Sequence, residues 1–204
     1  MKSEGYVLAE IQLNDLNPNE KDDGTMSLVK GVVTKFKEKS VMVDGFDMYT
    51  TSDVICGGGI SSSAAFETLV GTVIDQKYNE GKSTPFEIAQ YGWFAENVFF
   101  GKKCGLLDQT VSSYGGLVSI DFKDDSSPVI EKIDFDFEKY GYTLCVTDTK
   151  SSHENLTDDY VAIREEMKQV ARYFDCEVLS EVDEKEFLSF IPNIRSFCSD
   201  RAIM

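Results

Sequence analysis

No stretch of this sequence approaches the ~20 consecutive apolar residues that a membrane-spanning helix needs. No apolar run stands behind a basic start either, so no signal peptide is expected. Positive charge is scarce: 20 Lys and Arg face 36 Asp and Glu, for a net charge of −16. That balance argues against nucleic acid and against an anionic membrane surface as partners. His153 is the single histidine and reads as structural, so a Ser-His-Asp hydrolase finds no support. The cysteines, Cys56, Cys104, Cys145, Cys176 and Cys198, are odd in number and include no C-x-x-C pair. Neither a disulfide framework nor a zinc site is expected, and the thiols read as buried. A soluble, acidic, cytoplasmic protein is the expectation.

The hydrophobic fraction, 42% of 204 residues, is enough for a packed core. Strands are expected at 6–13, 116–122, 128–134 and 142–148, with an extended stretch at 41–55. Helices are expected at 26–39, at 61–79 with Ala65, Leu69, Val73 and Ile74 as the apolar stripe, and from Pro85 to about Phe100. A further amphipathic helix starts near Asn155, carrying Leu156, Tyr160, Ile163, Met167, Val170 and Phe174, and short helices fill 183–199. Strands and helices without regular βαβ alternation predict an α+β fold.

The most informative stretch is CGGGISSSAA, residues 56–65. Consecutive glycines let backbone N–H groups approach a ligand closely, and the alanines open a helix whose N-terminus favours an anion. Ser61, Ser62 and Ser63 add hydroxyls at the first turn. The competing reading is a tight strand-to-helix turn with a serine cap. One cap needs one serine, and the run reads better as a phosphate cradle. It is not a Walker A loop, because Ile60 stands after Gly59 where that motif has lysine. Gly81-Lys82-Ser83 has Gln76 in place of the upstream glycine and reads as a surface turn. A cradle without lysine leaves a polyphosphate unbalanced, so a divalent cation, Mg2+, is implied together with a nearby acid. Two acids stand out, Glu96 among Trp93, Phe99 and Phe100, and Asp108 in CGLLDQ, each with apolar neighbours that would partly desolvate it. Asp108 also reads as the cap of a helix through Gln109 and Val111. Tyr160 reads either as core or as a ligand contact.

These residues resemble the GHMP small-molecule kinases, whose phosphate loop is PxGxGLSSSA. ICGGGISSSAAFE matches it from Gly57 onward, with Ile55 where proline is usual. Within that family the chain is most similar to the galactokinase branch. AENVFFGKKCGLLDQTVSSYGG resembles its CGIMDQ signature, and TDTKSSHENLTDDYVAIREEM resembles its DT…H…Y…R segment. The resemblance implies an N-terminal domain like domain 2 of ribosomal protein S5, incomplete at its start, over 1–140. The beginning of a ferredoxin-like domain would follow over 141–204.

It also implies roles. Gly57, Gly58, Gly59, Ser61, Ser62 and Ser63 would cradle the phosphates of ATP, and Ser62 and Glu96 would bind Mg2+. Asp108 would take the proton of a sugar's anomeric hydroxyl, with Gly105 against the sugar and Tyr160 at one of its hydroxyls. Cys104 in CGLLDQ favours galactose over N-acetylgalactosamine. Nothing here matches the family's GRVNLIGEHTDY signature, which carries a catalytic arginine, or its late GGGFGG-like motif. The chain therefore reads as an internal fragment, weak or inactive by itself, with an open edge that invites self-association. A non-catalytic galactose and ATP sensor of the same family is the rival reading.

Overall fold

The computed structural model describes residues 1–19, 22–56, 58–147 and 157–203. Helix and sheet are mixed. In chain order the elements are β1 (Lys2–Ser3), α1 (Gly24–Glu38), β2 (Tyr49–Thr50), α2 (Ser62–Tyr78) and α3 (Pro85–Phe94). A π-helical turn (Ala95–Phe99) follows, then α4 (Leu107–Tyr114), β3 (Val118–Asp121) and β4 (Val129–Lys132). After a short 3-10 turn come α5 (Thr157–Tyr173), α6 (Glu184–Ile194) and α7 (Asp200–Ile203). The chain divides into two compact units, Met1–Ile120 with Ile130–His153, and Asp121–Val129 with Glu154–Met204. No helix among the described residues is long and apolar enough to cross a membrane.

The first unit is built on α1. Asp23 caps it by accepting a hydrogen bond from Met26 N at 2.8 Å. Its apolar face, Leu28, Val29, Val32, Val33 and Phe36, packs with Val70 and Ile74 of α2, Ile88 and Tyr91 of α3, and Ala95. Phe36 and Tyr91 meet edge to face at 4.9 Å. Thr84 and Glu87 form a reciprocal capping box at the start of α3, with Pro85 in its first turn. Gly31 is where α1 crosses the π-helical turn. A Cβ there would stand 2.5 Å from Ala95 Cα, a backbone atom that cannot step aside. Gly31→Ala is therefore expected to destabilise the chain by about 1–3 kcal/mol, read as a lowered urea midpoint at unchanged m-value. A midpoint equal to that of the parent would show that the two helices are not packed this closely.

In the second unit, Val170, Ile194 and Cys198 form the buried centre, and Phe174, Leu179, Phe187 and Ile203 pack against it. Lys123 pairs with Glu181 at 2.8 Å, fastening the 121–129 segment to that unit. α6 is one continuous helix capped by Asp183, with Pro192 inside it.

Several sequence expectations need correction. Residues 6–13 form no strand: Gly5 turns the chain at φ +80, and only an isolated bridge joins Lys2 to Leu8. Val7 and Leu8 are largely exposed, and β1 pairs instead, in parallel, with β2. The stretch at 41–55 is irregular apart from β2, and residues 142–147 are irregular with Tyr142, Leu144 and Val146 exposed. A β-rich composition does not make a strand unless a neighbouring edge pairs with it. The stripe expected on α2 holds only in part: Ile74 is fully buried, and the rest of the face is rotated. Leu69 is exposed, and the buried face holds Ala64, Glu67, Thr68, Val70, Gly71, Ile74 and Asp75. Of the thiols only Cys198 is buried, while Cys56 and Cys145 are exposed.

Candidate functional site

The glycine loop is open to solvent. Gly58, Gly59 and Ile60 are exposed, and Gly59 sits at φ +73. Gly57 and His153 lie outside the described residues. Ser61 then adopts φ 59, ψ 43, a left-handed conformation that a residue with a Cβ rarely takes, and forms no side-chain cap on α2. The serine-cap reading thus fails, and the first-turn N–H groups of α2 receive no cap from Ser61. Strain of this kind persists where the surroundings impose it, and it tends to gather at functional loops.

One turn into α2 the surroundings change from open to dry. Three polar side chains from three elements meet in the interior: Glu67 of α2, Glu96 of the π-helical turn and Gln109 of α4, each at most 2% exposed. The Gln109 amide donates from Nε2 to Glu96 Oε2 at 2.8 Å and to Glu67 Oε2 at 3.1 Å. Glu96 Oε1 accepts the Ser63 hydroxyl at 3.0 Å and lies 3.4 Å from the Lys102 ammonium. The three elements close this tightly because Gly92 of α3 lacks a Cβ, which would stand 3.0 Å from Glu67 and 3.3 Å from Gln109. The π-helical turn inserts a residue into the helical repeat at the point where Glu96 faces inward.

Two carboxylates in so dry a space cannot both stay charged. Burial, reinforced by the charge of Glu96, pushes the Glu67 carboxyl up to about 9 against the opposing pull of Gln109 and Lys102. Glu67 is therefore a neutral acid at pH 7. Its Oε1 and Gln109 Oε1 are buried without a hydrogen-bond partner. A proton on Glu67 turns one of these two acceptors into a donor. Burial, and then the Glu96 charge, also pushes the Cys104 thiol up, so it stays protonated. Cys104 is fastened to the π-helical turn and to α3: its N–H donates to Asn97 Oδ1 at 3.2 Å, and Trp93 Nε1 of α3 donates to its carbonyl at 3.1 Å.

Asp108 is the neighbour of Gln109 but faces the other way. It stands in the first turn of α4, exposed, and does not cap the helix, whose N-cap is Leu106. The expected desolvation holds for Glu96 and not for Asp108, because α4 turns Gln109 and Thr110 inward and Leu107 and Asp108 outward. Gly105 is exposed with open space where a Cβ would project. Tyr160 belongs to the second unit and is 60% exposed, so it is not core.

Residues 27–116, which hold the glycine loop, the buried acids and Asp108, match the GHMP kinases N terminal domain. The chain is homologous to galactokinases over most of its length. Over residues 27–116 the chain is thus similar to the GHMP kinases.

The galactokinase of Glaesserella parasuis serovar 5 (strain SH0165) is 33% identical over 172 residues, covering 82% of this chain and 43% of that protein. The galactokinase of Lactococcus lactis subsp. lactis (strain IL1403) is 27% identical over 178 residues, covering 85% of this chain and 44% of that one. The crystal structure of Lactococcus lactis galactokinase complexed with galactose superposes with a TM-score of 0.68 at 24% identity, over 95% of this chain and 49% of that chain, a likeness of fold. The chain thus spans less than half the length of these relatives.

Within residues 27–116 the donors suit a hard divalent cation. The Glu96 carboxylate and the Ser63 hydroxyl place two oxygen donors 3.0 Å apart at the first turn of α2, and Mg2+ characteristically takes one or two protein oxygens and completes its shell with phosphates and water. The serine hydroxyl that reaches Glu96 is that of Ser63, one residue beyond Ser62.

Sequence reading missed Glu67 and Gln109. An acid inside an amphipathic helix reads as surface, and a glutamine in CGLLDQ reads as filler beside an aspartate. The available signal was spacing: Glu67 stands four residues after Ser63, hence on its face of α2.

Proposed function

We propose that the chain is the nucleotide- and sugar-binding part of an ATP-dependent sugar kinase. It would carry the γ-phosphoryl group of ATP to O1 of galactose, giving galactose 1-phosphate and ADP. The observation that supports this most is the buried Glu96 carboxylate, which accepts the Ser63 hydroxyl at the first turn of the helix that follows an exposed glycine loop. The fold reading is a domain like domain 2 of ribosomal protein S5 over 1–140 followed by the start of a ferredoxin-like domain over 141–204. A cytoplasmic location and self-association through open edges go with it.

In this reading Gly57, Gly58, Gly59 and Ser61–Ser63 bind the ATP phosphates through backbone N–H groups and hydroxyls. Glu96 with Ser62 or Ser63 would hold Mg2+, which neutralises phosphate charge when bound. Phosphoryl transfer depends mainly on positioning and charge stabilisation. Asp108 accepts the proton of the anomeric hydroxyl as the O1–P bond forms and the bridging P–O bond to ADP breaks. Its exposure suits that task, since it leaves the carboxyl open to a sugar placed on it. Gly105 leaves room for a sugar ring, and Tyr160 would contact a hydroxyl. Turnover by the 204 residues alone is expected to be weak, because none of them matches the signature arginine that would face Asp108.

Coupled ADP release in the presence of galactose tests the reading on a full-length protein that contains this chain. Asp108→Asn is expected to lower kcat by 100-fold or more, the range of general-base catalysis, with the affinity for Mg-ATP little changed. Absence of galactose-dependent ADP release from the parent protein would refute the kinase assignment. Nucleotide and sugar binding without turnover would instead assign the chain to non-catalytic sensors.

A further inference from the structure

The glycine loop carries no lysine of its own, yet one reaches its helix from elsewhere in the chain. Lys102 follows the π-helical turn and is tied twice to Glu96. Its backbone N–H donates to the Glu96 carbonyl at 3.0 Å, and its ammonium folds back to within 3.4 Å of Glu96 Oε1. That same oxygen accepts the Ser63 hydroxyl at 3.0 Å, and Ser63 stands in the first turn of α2. The other carboxylate oxygen, Oε2, is held separately by Gln109 at 2.8 Å. The Glu96 side chain is 3% exposed and that of Lys102 37%, so the ammonium sits where the buried acids meet solvent.

Two features set this pair apart from an ordinary surface ion pair, which contributes little. First, Oε1 is the oxygen of Glu96 that meets Ser63 in the first turn after the loop, so it is also the one a metal ion would take. An ammonium and a divalent cation cannot share it: they compete for the same lone pairs and repel each other. Second, the lysine stem is long and flexible, and its backbone anchor keeps it beside the loop when the head group lets go. The nearest new negative charge would then be a phosphate seated on Gly58–Ser63.

We propose that Lys102 is the phosphate-pairing lysine of this loop. Its ammonium occupies Glu96 Oε1 while the loop is empty and passes to phosphate oxygens of a nucleoside di- or triphosphate when a divalent cation takes that oxygen. The proposal rests on the reading of the loop as a nucleotide phosphate site. It assigns the missing cradle charge to a residue about 40 positions downstream, brought there by the π-helical turn.

The test is a pair of titrations on the full chain, with Mn2+ alone and with ADP in excess Mg2+. They are run on the parent, Lys102→Gln, Lys102→Arg and Glu96→Gln, the last to subtract Mn2+ held elsewhere on an acidic surface. The two effects of Lys102→Gln have opposite signs. Mn2+ binding at Glu96 tightens severalfold because its competitor is gone. Mg-ADP binding weakens about tenfold, the size of one lost charge-assisted hydrogen bond. Lys102→Arg keeps most of the ADP affinity. A lysine that merely held the loop in shape would loosen both ligands together on replacement. Changes of the same sign, or equal ADP affinity in parent and Lys102→Gln, overturn the proposal and leave the nucleotide reading standing. A parent chain that binds no ADP, with or without metal, overturns both.

Discussion

Replacing Glu67 with glutamine is expected to make the metal-free chain more stable at pH 8, and to flatten its loss of stability with rising pH. The carboxyl is raised to about 9 in the folded chain from an ordinary value of 4.5. A group raised on folding contributes stability that is fully present below its unfolded value. That contribution is lost as pH climbs through the folded value. Over the window from 4.5 to about 9 the folded chain must keep a proton that the unfolded chain releases. One proton gives a slope of about 1.4 kcal/mol per pH unit, so the parent loses about 2–3 kcal/mol between pH 6 and pH 8 from this group alone. Glutamine has nearly the same shape and never ionises. Its carbonyl can accept from Gln109 Nε2 as Glu67 Oε2 does, and its amide brings a donor to a cluster in which Gln109 Oε1 has no partner. Urea unfolding in EDTA at the two pH values, for parent and variant, is the measurement. Parallel slopes in the two proteins would mean that Glu67 is ionised in the folded chain and that its neutrality is wrong.

The opposite result is expected at Gln109. Gln109→Leu keeps roughly the volume but removes both N–H donors from the buried space between the acids. Glu96 loses the partner of Oε2, and Glu67 loses the partner of Oε2. A buried polar group left unpaired costs about 1–3 kcal/mol, and more when it is charged, so a loss of at least about 3 kcal/mol is expected. Because α4 carries both Gln109 and Asp108, the variant should also disturb the spacing between the Glu96 carboxylate and Asp108. A Gln109→Leu protein with the parent's urea midpoint would show that the cluster contributes nothing to holding α4 in place. The double variant with Glu67→Gln separates the two acids. If Glu67 is already neutral, most of the Gln109→Leu penalty comes from Glu96 and remains.

The helices of the site were legible because their signals are local. Pro85 in a first turn and the three- and four-residue spacing of apolar side chains in 26–39 are signals carried by neighbours a few residues apart. The glycine loop and the CGLLDQ segment were legible as chemistry because their composition has few other uses. Strands were read poorly: 6–13 and 142–147 are rich in β-forming residues, yet neither forms a strand among the described residues. Pairing is a property of two segments, and a sequence window sees one.

By itself, then, the sequence determined the helical frame of α1, α2 and α3, and it offered a glycine loop and two downstream acids as candidates. It left those acids alike. Only tertiary packing separates them: the inward turn of Glu96 and the outward turn of Asp108 follow from how α3, the π-helical turn and α4 close on α2 around Gly92. Only packing recruits Gln109 to hold Glu96 and Glu67 together, and Lys102 to pair with Glu96. Dielectric environment and the neighbour list of a carboxylate arise from segments distant in the chain, and they decide which acid is buried, which is neutral and which meets solvent.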